Sequence, residues 1–533
     1  MPEHGGRTFR TEIKHFGFTD VPDAERSAGK EPTMEKYLTF DVGTTAIKTC
    51  VFDENLQMLA KCTDEYDLLT ADGRVELCPE TYWQTIVRAV RRIGETHSLK
   101  NIDAVCLTTQ GETMIPVDKN GEPLSNAIVW LDSRAGKQAE KIRQVMEENG
   151  ISLFRTTGLP EMNGFVPLAK FLWLKEEAPE IYARTEKLLL LEDYLICRLT
   201  GRTVSEKSLL TSTGWLNIRS DGYFHELLEK LDLDESKLPE ACECGRIVSR
   251  LTKEAAAQLG LSADTQVVTG AMDQIAAAIG GGGLKDGVVT ATIGTAMVMT
   301  SAVPEENAFS DDAMTVYRGY RKGQYVLLPF TSTAGVVFKW LKDTVFAADA
   351  AECARTGEDI YDRLCEAAAD VPAGANGVTL IPYFAGSTRP RNIPDAKGVF
   401  FGLDIGSTRE VLVRATLEGI GNMIRENLDM LRGLGAQIGT VQFFGGGSKN
   451  AVWNQIIADI SDVTLVKPRE EECGSLGCAV LAACALGERA SVEDAQNCNP
   501  AVSTIAPDPS MKETYDRAYT RYQNLFDAVE GLY

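Results

Sequence analysis

From residue 37 the chain reads YLTFDVGTTAIKTCVFDENLQMLAKC: an apolar, β-branched run, a Gly-Thr-Thr turn, a second run, a turn at Asp53-Glu54-Asn55, and a third run. That pattern predicts a β-meander. Residues 80–96 place Trp83, Ile86, Val87, Val90 and Ile93 at helical spacing, and residues 102–108 are again strand-like. The order therefore opens as three strands, a helix and a strand. Asn120-Gly121, between apolar runs at 115–117 and 127–130, predicts a type I′ hairpin, because Asn-Gly supplies the two positive φ values that turn requires. Beyond it lie amphipathic stretches at 133–149 and 168–176 and an apolar run at 188–199. The first half is mixed α and β.

The second half carries GVVTATIGTAMVMT at 287–300, again strand, Gly-Thr turn, strand. Thr44 and Thr295 lie about half the chain apart, which predicts two related α/β domains rather than a solenoid of short repeats. The boundary is expected near 265/266, giving domains at 34–265 and 266–533. Residues 1–33 show no sustained apolar period and hold two of the four histidines; they are expected to be a poorly ordered extension. Met34, just before the first strand, is the expected native start, and intact residues 1–33 in protein from its own cells would refute that.

A chain of 533 residues with 44% hydrophobic and 24% charged positions can bury several cores. Its 54 Lys and Arg against 76 Asp and Glu leave a net charge of −22, which repels nucleic acid and anionic membranes. No apolar stretch is long enough to span a bilayer, and the first residues lack the basic region followed by an apolar one that would read as a signal peptide, so a cytoplasmic protein is expected. Thirteen scattered cysteines, an odd number, read as thiols of a reducing compartment. Cys242-x-Cys244-Gly245 is read as packing rather than zinc, since no second cysteine pair follows at ligand spacing.

Six segments carry candidate chemistry. Asp41-Val42-Gly43-Thr44-Thr45, with Lys48 behind, offers backbone N–H groups and hydroxyls to phosphate oxygens, and Asp41 could hold Mg²⁺ through water. Ile293-Gly294-Thr295 repeats the turn, and Gly445-Gly446-Gly447-Ser448-Lys449-Asn450 precedes a helix carrying Trp453 and Ile456, where glycines let a nucleotide approach the backbone. Asp273 stands between apolar runs, either as a helix cap or as a general base. Gln110-Gly111-Glu112-Thr113 and Trp130-Leu131-Asp132-Ser133-Arg134 combine an aromatic face with amide and carboxylate groups, which suits a polyhydroxylated ligand; taken without the other motifs, a core Trp with a helix-entry Asp132–Arg134 ion pair is the better account. Together they imply ATP, Mg²⁺ and a hydroxylated small molecule.

From about Tyr37 to Tyr522 the chain resembles the FGGY carbohydrate kinases, in Asp-x-Gly-Thr-Thr-x-x-Lys, NAIVWLDSRA, EDYLICRLTG, GAMDQ, IPYFAGSTRPRNIPDAKGVFFGL, VRATLEGI and GGGSKNAVWNQIIADI. The resemblance implies an actin-like (ribonuclease H-like) α/β fold of two domains with ATP and sugar in the cleft between them. The N-terminal domain would be the sugar and phosphate side and the C-terminal domain the nucleotide side, with the catalytic Asp. It further implies Asp273 as catalytic base and Gly43, Thr44, Thr45, Lys48, Gly294, Thr295, Gly445, Gly446 and Asn450 around ATP. Gln110, Glu112, Trp130, Asp132 and Gln274 would face the substrate, and the family's frequent dimers imply a homodimer. Xylulokinases usually show Gln-Met-His-Gly where this chain has Gln110-Gly111-Glu112-Thr113, and glycerol kinases show Gln-Arg-Glu-Thr. Gly111 removes the arginine that would clamp a small triol and leaves room for something larger. The usual Gly-Glu-Arg-x-Pro is here Gly386-Ser387-Thr388-Arg389-Pro390. The expected activity is phosphorylation of a ketose or sugar alcohol of about four to six carbons, xylulose-like. The alternatives are a glycerol or short-polyol kinase, a non-catalytic sugar sensor, or a nucleotide-switched interaction protein.

Overall fold

A computed structural model describes residues 19–20, 34–285, 287–310, 314–387 and 391–533; apart from Thr19–Asp20, the N-terminal extension lies outside them, as do Thr388, Arg389 and Pro390. The chain forms two compact units. The first comprises residues 1–280, 320–322 and 472–498, and the second 281–319, 323–471 and 499–533.

The predicted meander is Glu35–Val42, Ala46–Asp53 and Met58–Glu65, followed by helix Pro79–Ile93 and strand Ala104–Thr109. In the first unit's sheet, Glu35–Val42 pairs antiparallel with Ala46–Asp53 and parallel with Ala104–Thr109, which pairs parallel with Gln266–Val268. The register sets Asp41 directly opposite Lys48. Trp83, Ile86, Val90 and Ile93 on the helix bury one face in this unit's core, as a 3.6-residue apolar period requires.

Residues 266–280, expected to open the second domain, lie in the first unit, because Gln266–Val268 extends the parallel ladder. Its helix Asp273–Gly280 packs on helix Cys473–Ala485, which returns from far along the chain. A Cβ on Gly280 would lie 2.0 Å from the Cys473 carbonyl oxygen, and one on Gly477 1.9 Å from that of Ala276. Both positions demand glycine.

Two local expectations change. Asn120-Gly121 turns with only Gly121 at positive φ. The Asp118 carboxylate accepts from the N–H groups of Asn120 (2.8 Å) and Glu122 (3.0 Å), so an Asx-type interaction replaces the type I′ turn. The doubly positive geometry occurs at Asp72 (φ 49°) and Gly73 (φ 77°), joining Leu69–Ala71 to Arg74–Leu77. The apolar run at 188–199 divides into strand Lys187–Leu190 and helix Leu191–Thr200, where the Asp193 carboxylate accepts from Leu190 N–H at 2.9 Å.

The second unit repeats the scheme. Strand Val288–Ile293 pairs antiparallel with Met297–Val303 and parallel with Thr440–Phe444, as the opening hairpin does in its own sheet. Each hairpin turn is closed by its glycine, with Gly43 N–H donating to the Ala46 carbonyl, three residues on, and Gly294 N–H to the Ala296 carbonyl, two residues on, both at 2.9 Å.

Candidate active site

In the first unit the Gly43-Thr44-Thr45 turn lies beside Trp130, one of the residues expected to face the substrate. Trp130 Nε1 donates to Thr44 Oγ1 at 3.0 Å, its backbone N–H donates to Thr113 Oγ1 at 3.2 Å, and the Tyr66 hydroxyl donates to the Gly43 carbonyl. Thr45 is exposed. Below the turn, Lys48 Nζ lies 3.5 Å from Asp41 Oδ2 and 2.8 Å from Glu472 Oε2. Burial raises the Asp41 carboxyl, partly relieved by Lys48. Glu472 also pairs with Lys61; burial would raise it, yet the two ammonium groups hold it below its ordinary value. Glu472 precedes helix Cys473–Ala485, whose N-terminal end comes close to Asp41: a Cβ on Gly474 would be 3.3 Å from Asp41 Oδ2.

Asp273 is the first residue of its helix. The Met272 carbonyl accepts from Ile275 and Ala276 N–H, so the backbone cap falls one residue earlier, and the half-buried Asp273 carboxylate accepts from the adjacent Gln274, through its N–H at 2.6 Å and through its side chain. Burial first, then the negative charge of Asp41, pushes its carboxyl up to about 7. A carboxyl poised near neutrality suits a general base.

Gln110 is buried, with Nε2 3.3 Å from the Tyr82 hydroxyl and Oε1 lacking a protein partner. Thr113 N–H donates to the Gly111 carbonyl at 2.9 Å, closing a three-residue turn with Glu112 at its apex, φ 61°. That geometry is rare and strained for a side-chain-bearing residue. Burial raises the Glu112 carboxyl, opposed by a hydrogen bond with Ser212 and the charge of Lys170. A Cβ at Gly111 would touch only Ser212 Oγ, at 3.5 Å.

Asp132 is fully buried. Its Oδ1 accepts from Arg134 N–H (3.0 Å) and Nε (2.8 Å), and its Oδ2 from Val75 N–H (2.7 Å) and Arg134 NH2 (2.6 Å). That arrangement anchors the segment and leaves no acceptor free for a sugar.

Sequence reasoning missed Lys170, Ser212 and Glu472. Lys170 is fully buried on helix Pro167–Glu177 and donates to the Val129 (3.0 Å) and Trp130 (3.3 Å) carbonyls. Burial pulls its amine down to about 8, with Glu112 and Asp132 opposing. A lone lysine within the apolar string PLAKFLWL was its signal.

The remaining predicted residues belong to the second unit. Gly294 and Thr295 are exposed at their turn, and Gly335, opening helix Gly335–Thr344, packs so close that a Cβ would lie 2.3 Å from the Gly294 carbonyl oxygen. Gly445 (φ 86°) sits against the Ile293 carbonyl, so the Gly445-Gly446 loop and the Gly294-Thr295 turn come together. Asn450 caps helix Ala451–Ser461, accepting from Val452 and Trp453 N–H, and its Nδ2 donates to Asp362 Oδ1 at 2.8 Å. It therefore fixes the helix start beside the glycine loop.

Two α/β units, each built around a hairpin with a parallel strand beside it, define the actin-like ATPase architecture of sugar kinases. Residues 36–280 and 289–486 match the N- and C-terminal domain models of the FGGY family of carbohydrate kinases, and the chain belongs to that family. It is 28% identical to a gluconokinase of Bacillus subtilis over 93% of this chain and 96% of the relative, and 28% identical to a xylulose kinase of the same organism over 94% and 98%. A glycerol kinase of Thermococcus kodakarensis is 29% identical over 93% and 98%. A solved xylulose kinase and a solved gluconate kinase of Lactobacillus acidophilus superpose with TM-scores of 0.82 and 0.83, each at 26% identity over 93% of this chain and 98% of theirs. The chain is accordingly an ATP-dependent kinase that transfers phosphate to a hydroxyl of a sugar or polyol. Among the described residues, no helix is long and apolar enough to cross a membrane.

Proposed function

We propose that the protein phosphorylates a primary hydroxyl of a ketose or sugar alcohol of about four to six carbons, xylulose-like, with Asp273 as base. The observation that carries this reading is the Asp273 carboxyl, held near neutrality at a helix start and influenced electrostatically by both Asp41 and Glu112. The sugar hydroxyl gives its proton to Asp273 as its oxygen bonds to the γ-phosphorus; the bond from that phosphorus to the β–γ bridging oxygen breaks and ADP leaves. Gln110 and Glu112 supply polar contacts to the sugar, with the Trp130 ring as an apolar face. Gln274 donates to the base and helps keep it ionised. Thr44, Thr45, Gly43 and Lys48 serve the phosphates, and Gly294, Thr295, Gly445, Gly446 and Asn450 the nucleotide.

A hydrated Mg²⁺ fits the chemistry present. Asp41 keeps acceptor capacity beyond its 3.5 Å pair with Lys48, and a divalent cation would relieve the repulsion between the Asp41 and Asp273 carboxylates. When bound with ATP, it neutralises phosphate charge. The odd number of scattered cysteines supports a reducing, cytoplasmic setting.

A short polyol is favoured by one observation: Glu112-Thr113 and Gln274 are glycerol-kinase-like. Gly111, next to Ser212, favours the larger substrate. The deciding experiment measures ADP release with ATP and Mg²⁺ across ketoses, aldoses, polyols, gluconate and glycerol, alongside Asp273→Asn. A ketose or sugar alcohol that dominates, with turnover lowered about 10²-fold or more in the variant and sugar binding kept, is expected. Dominance of glycerol or gluconate would overturn the substrate assignment, and near-normal turnover of the variant would remove Asp273 as base.

A further inference from the structure

Between strand Gln266–Val268 and helix Asp273–Gly280 the chain crosses a short connection that carries the proposed base. Three consecutive residues of this connection are each held by a side chain from a different element. Gly270 N–H donates to Glu192 Oε1 at 3.0 Å, Thr108 Oγ1 donates to the Ala271 carbonyl at 2.6 Å, and Met272 N–H donates to Ser208 Oγ at 3.0 Å. Glu192 lies in the first turn of helix Leu191–Thr200, Thr108 is the penultimate residue of strand Ala104–Thr109 and Ser208 lies in helix Lys207–Leu210. All three side chains are fully buried.

Ser208 is itself fixed. Its hydroxyl donates to Glu206 Oε1 at 3.0 Å, and Glu206 also accepts from Ser208 N–H (2.6 Å), Leu209 N–H (2.6 Å) and the Cys244 thiol (2.8 Å). The general hydrogen-bonding demand of a buried backbone explains one such contact. It does not require that three residues in succession, immediately before the base, be gripped by fully buried side chains.

Gly270 adds the steric half of the clamp. A Cβ there would lie 1.8 Å from the Leu107 carbonyl oxygen, so the connection runs tight against the strand that supplies Thr108. The backbone leading into Asp273 is thereby held by three other elements, while the carboxylate itself is bonded by the adjacent Gln274.

We propose that Thr108, Glu192 and Ser208 are positioning residues that set the place of the Asp273 carboxylate for proton abstraction. The inference rests on Asp273 being the base. A displacement of the order of 1 Å in a reacting group costs up to about 10²-fold in rate, and loosening one of three grips should cost less. Thr108→Val keeps the shape of the side chain and removes its donor to the Ala271 carbonyl; Thr108→Ser keeps the donor.

The test is a kinetic cycle in the full chain, with ATP, Mg²⁺ and the sugar that gives the strongest turnover. Thr108→Val is expected to lower kcat about tenfold with KM for sugar and ATP within about twofold, and Thr108→Ser to recover most of the loss. In an Asp273→Asn background the same Thr108→Val change is expected to lower kcat no further, because its effect passes through the base. An equal tenfold loss in that background would overturn the positioning role while leaving Asp273 as base. Normal kcat in Thr108→Val and in Ser208→Ala would do the same, and near-normal turnover of Asp273→Asn alone would refute the base itself. Should Thr108→Val fail to fold, Ser208→Ala carries the cycle with the same expected outcomes.

Discussion

Asp273 is a carboxyl whose ordinary value of 3.8 is pushed up to about 7, first by burial and then by Asp41. A base must be ionised to accept a proton, so kcat/KM should fall about tenfold per pH unit below an acid limb near 7. Asp41→Asn removes a nearby negative charge and should move that limb to lower pH in whatever activity remains; an unmoved limb would assign it to another group. Linkage gives a second readout. The folded protein holds the Asp273 proton more tightly than the unfolded chain, so this residue's share of stability is fully present below pH 4 and is lost as pH rises through 7. Asp273→Asn should therefore raise the thermal midpoint relative to the parent at pH 8 and leave it nearly unchanged at pH 4, checked by melts at both. At Lys170, fully buried under the Val129 and Trp130 carbonyls, Lys170→Met should raise the sugar KM about tenfold with little change in that for ATP. The bridge to Trp130 would be gone. Asp41, Lys48 and Asp273 were legible because a turn motif and a carboxylate between apolar runs stand out in one dimension. Lys170 and Glu472 were not, since their partners at Glu112, Asp41 and Lys48 are brought near only by folding.

At the scale of elements, the helix pair Asp273–Gly280 and Cys473–Ala485 is held at close range by two glycines. Gly477→Ala would force a Cβ to within 1.9 Å of the Ala276 carbonyl oxygen, and the overpacking should cost about 1–3 kcal/mol, read by urea unfolding. An unchanged midpoint would mean the helices separate freely. The meander, the first helix and the repeated Gly-Thr hairpin could be read from period and turn residues, because each is satisfied by neighbours in sequence. The Asn120-Gly121 turn could not, since the Asp118 side chain competes for the same N–H groups and draws the loop away from type I′. The run at 188–199 hid a change from strand to helix for a related reason: apolar residues satisfy both periods, and the break is made by the Asp193 carboxylate reaching back to Leu190.

For the whole molecule, a net charge of −22 predicts self-repulsion that salt screens. The thermal midpoint should rise by a few degrees between about 10 and 300 mM NaCl; a fall would show that ion pairs such as Lys48–Glu472 dominate instead. Two hairpin sheets of like design were legible as a sequence echo, whereas the return of residues 472–498 to the first unit was not, because nothing local to that stretch names its partner. That return has a consequence for synthesis. The first unit's sheet emerges from the ribosome by Val268, but helix Cys473–Ala485, which covers strands Glu35–Val42 and Ala104–Thr109, follows only after some 200 further residues. At roughly 5–20 residues per second, the nascent sheet waits about 10–40 s with an apolar face bare. Shielding by a chaperone during that interval, and insoluble product from a gene truncated after residue 280, are what this chain order demands of the cell.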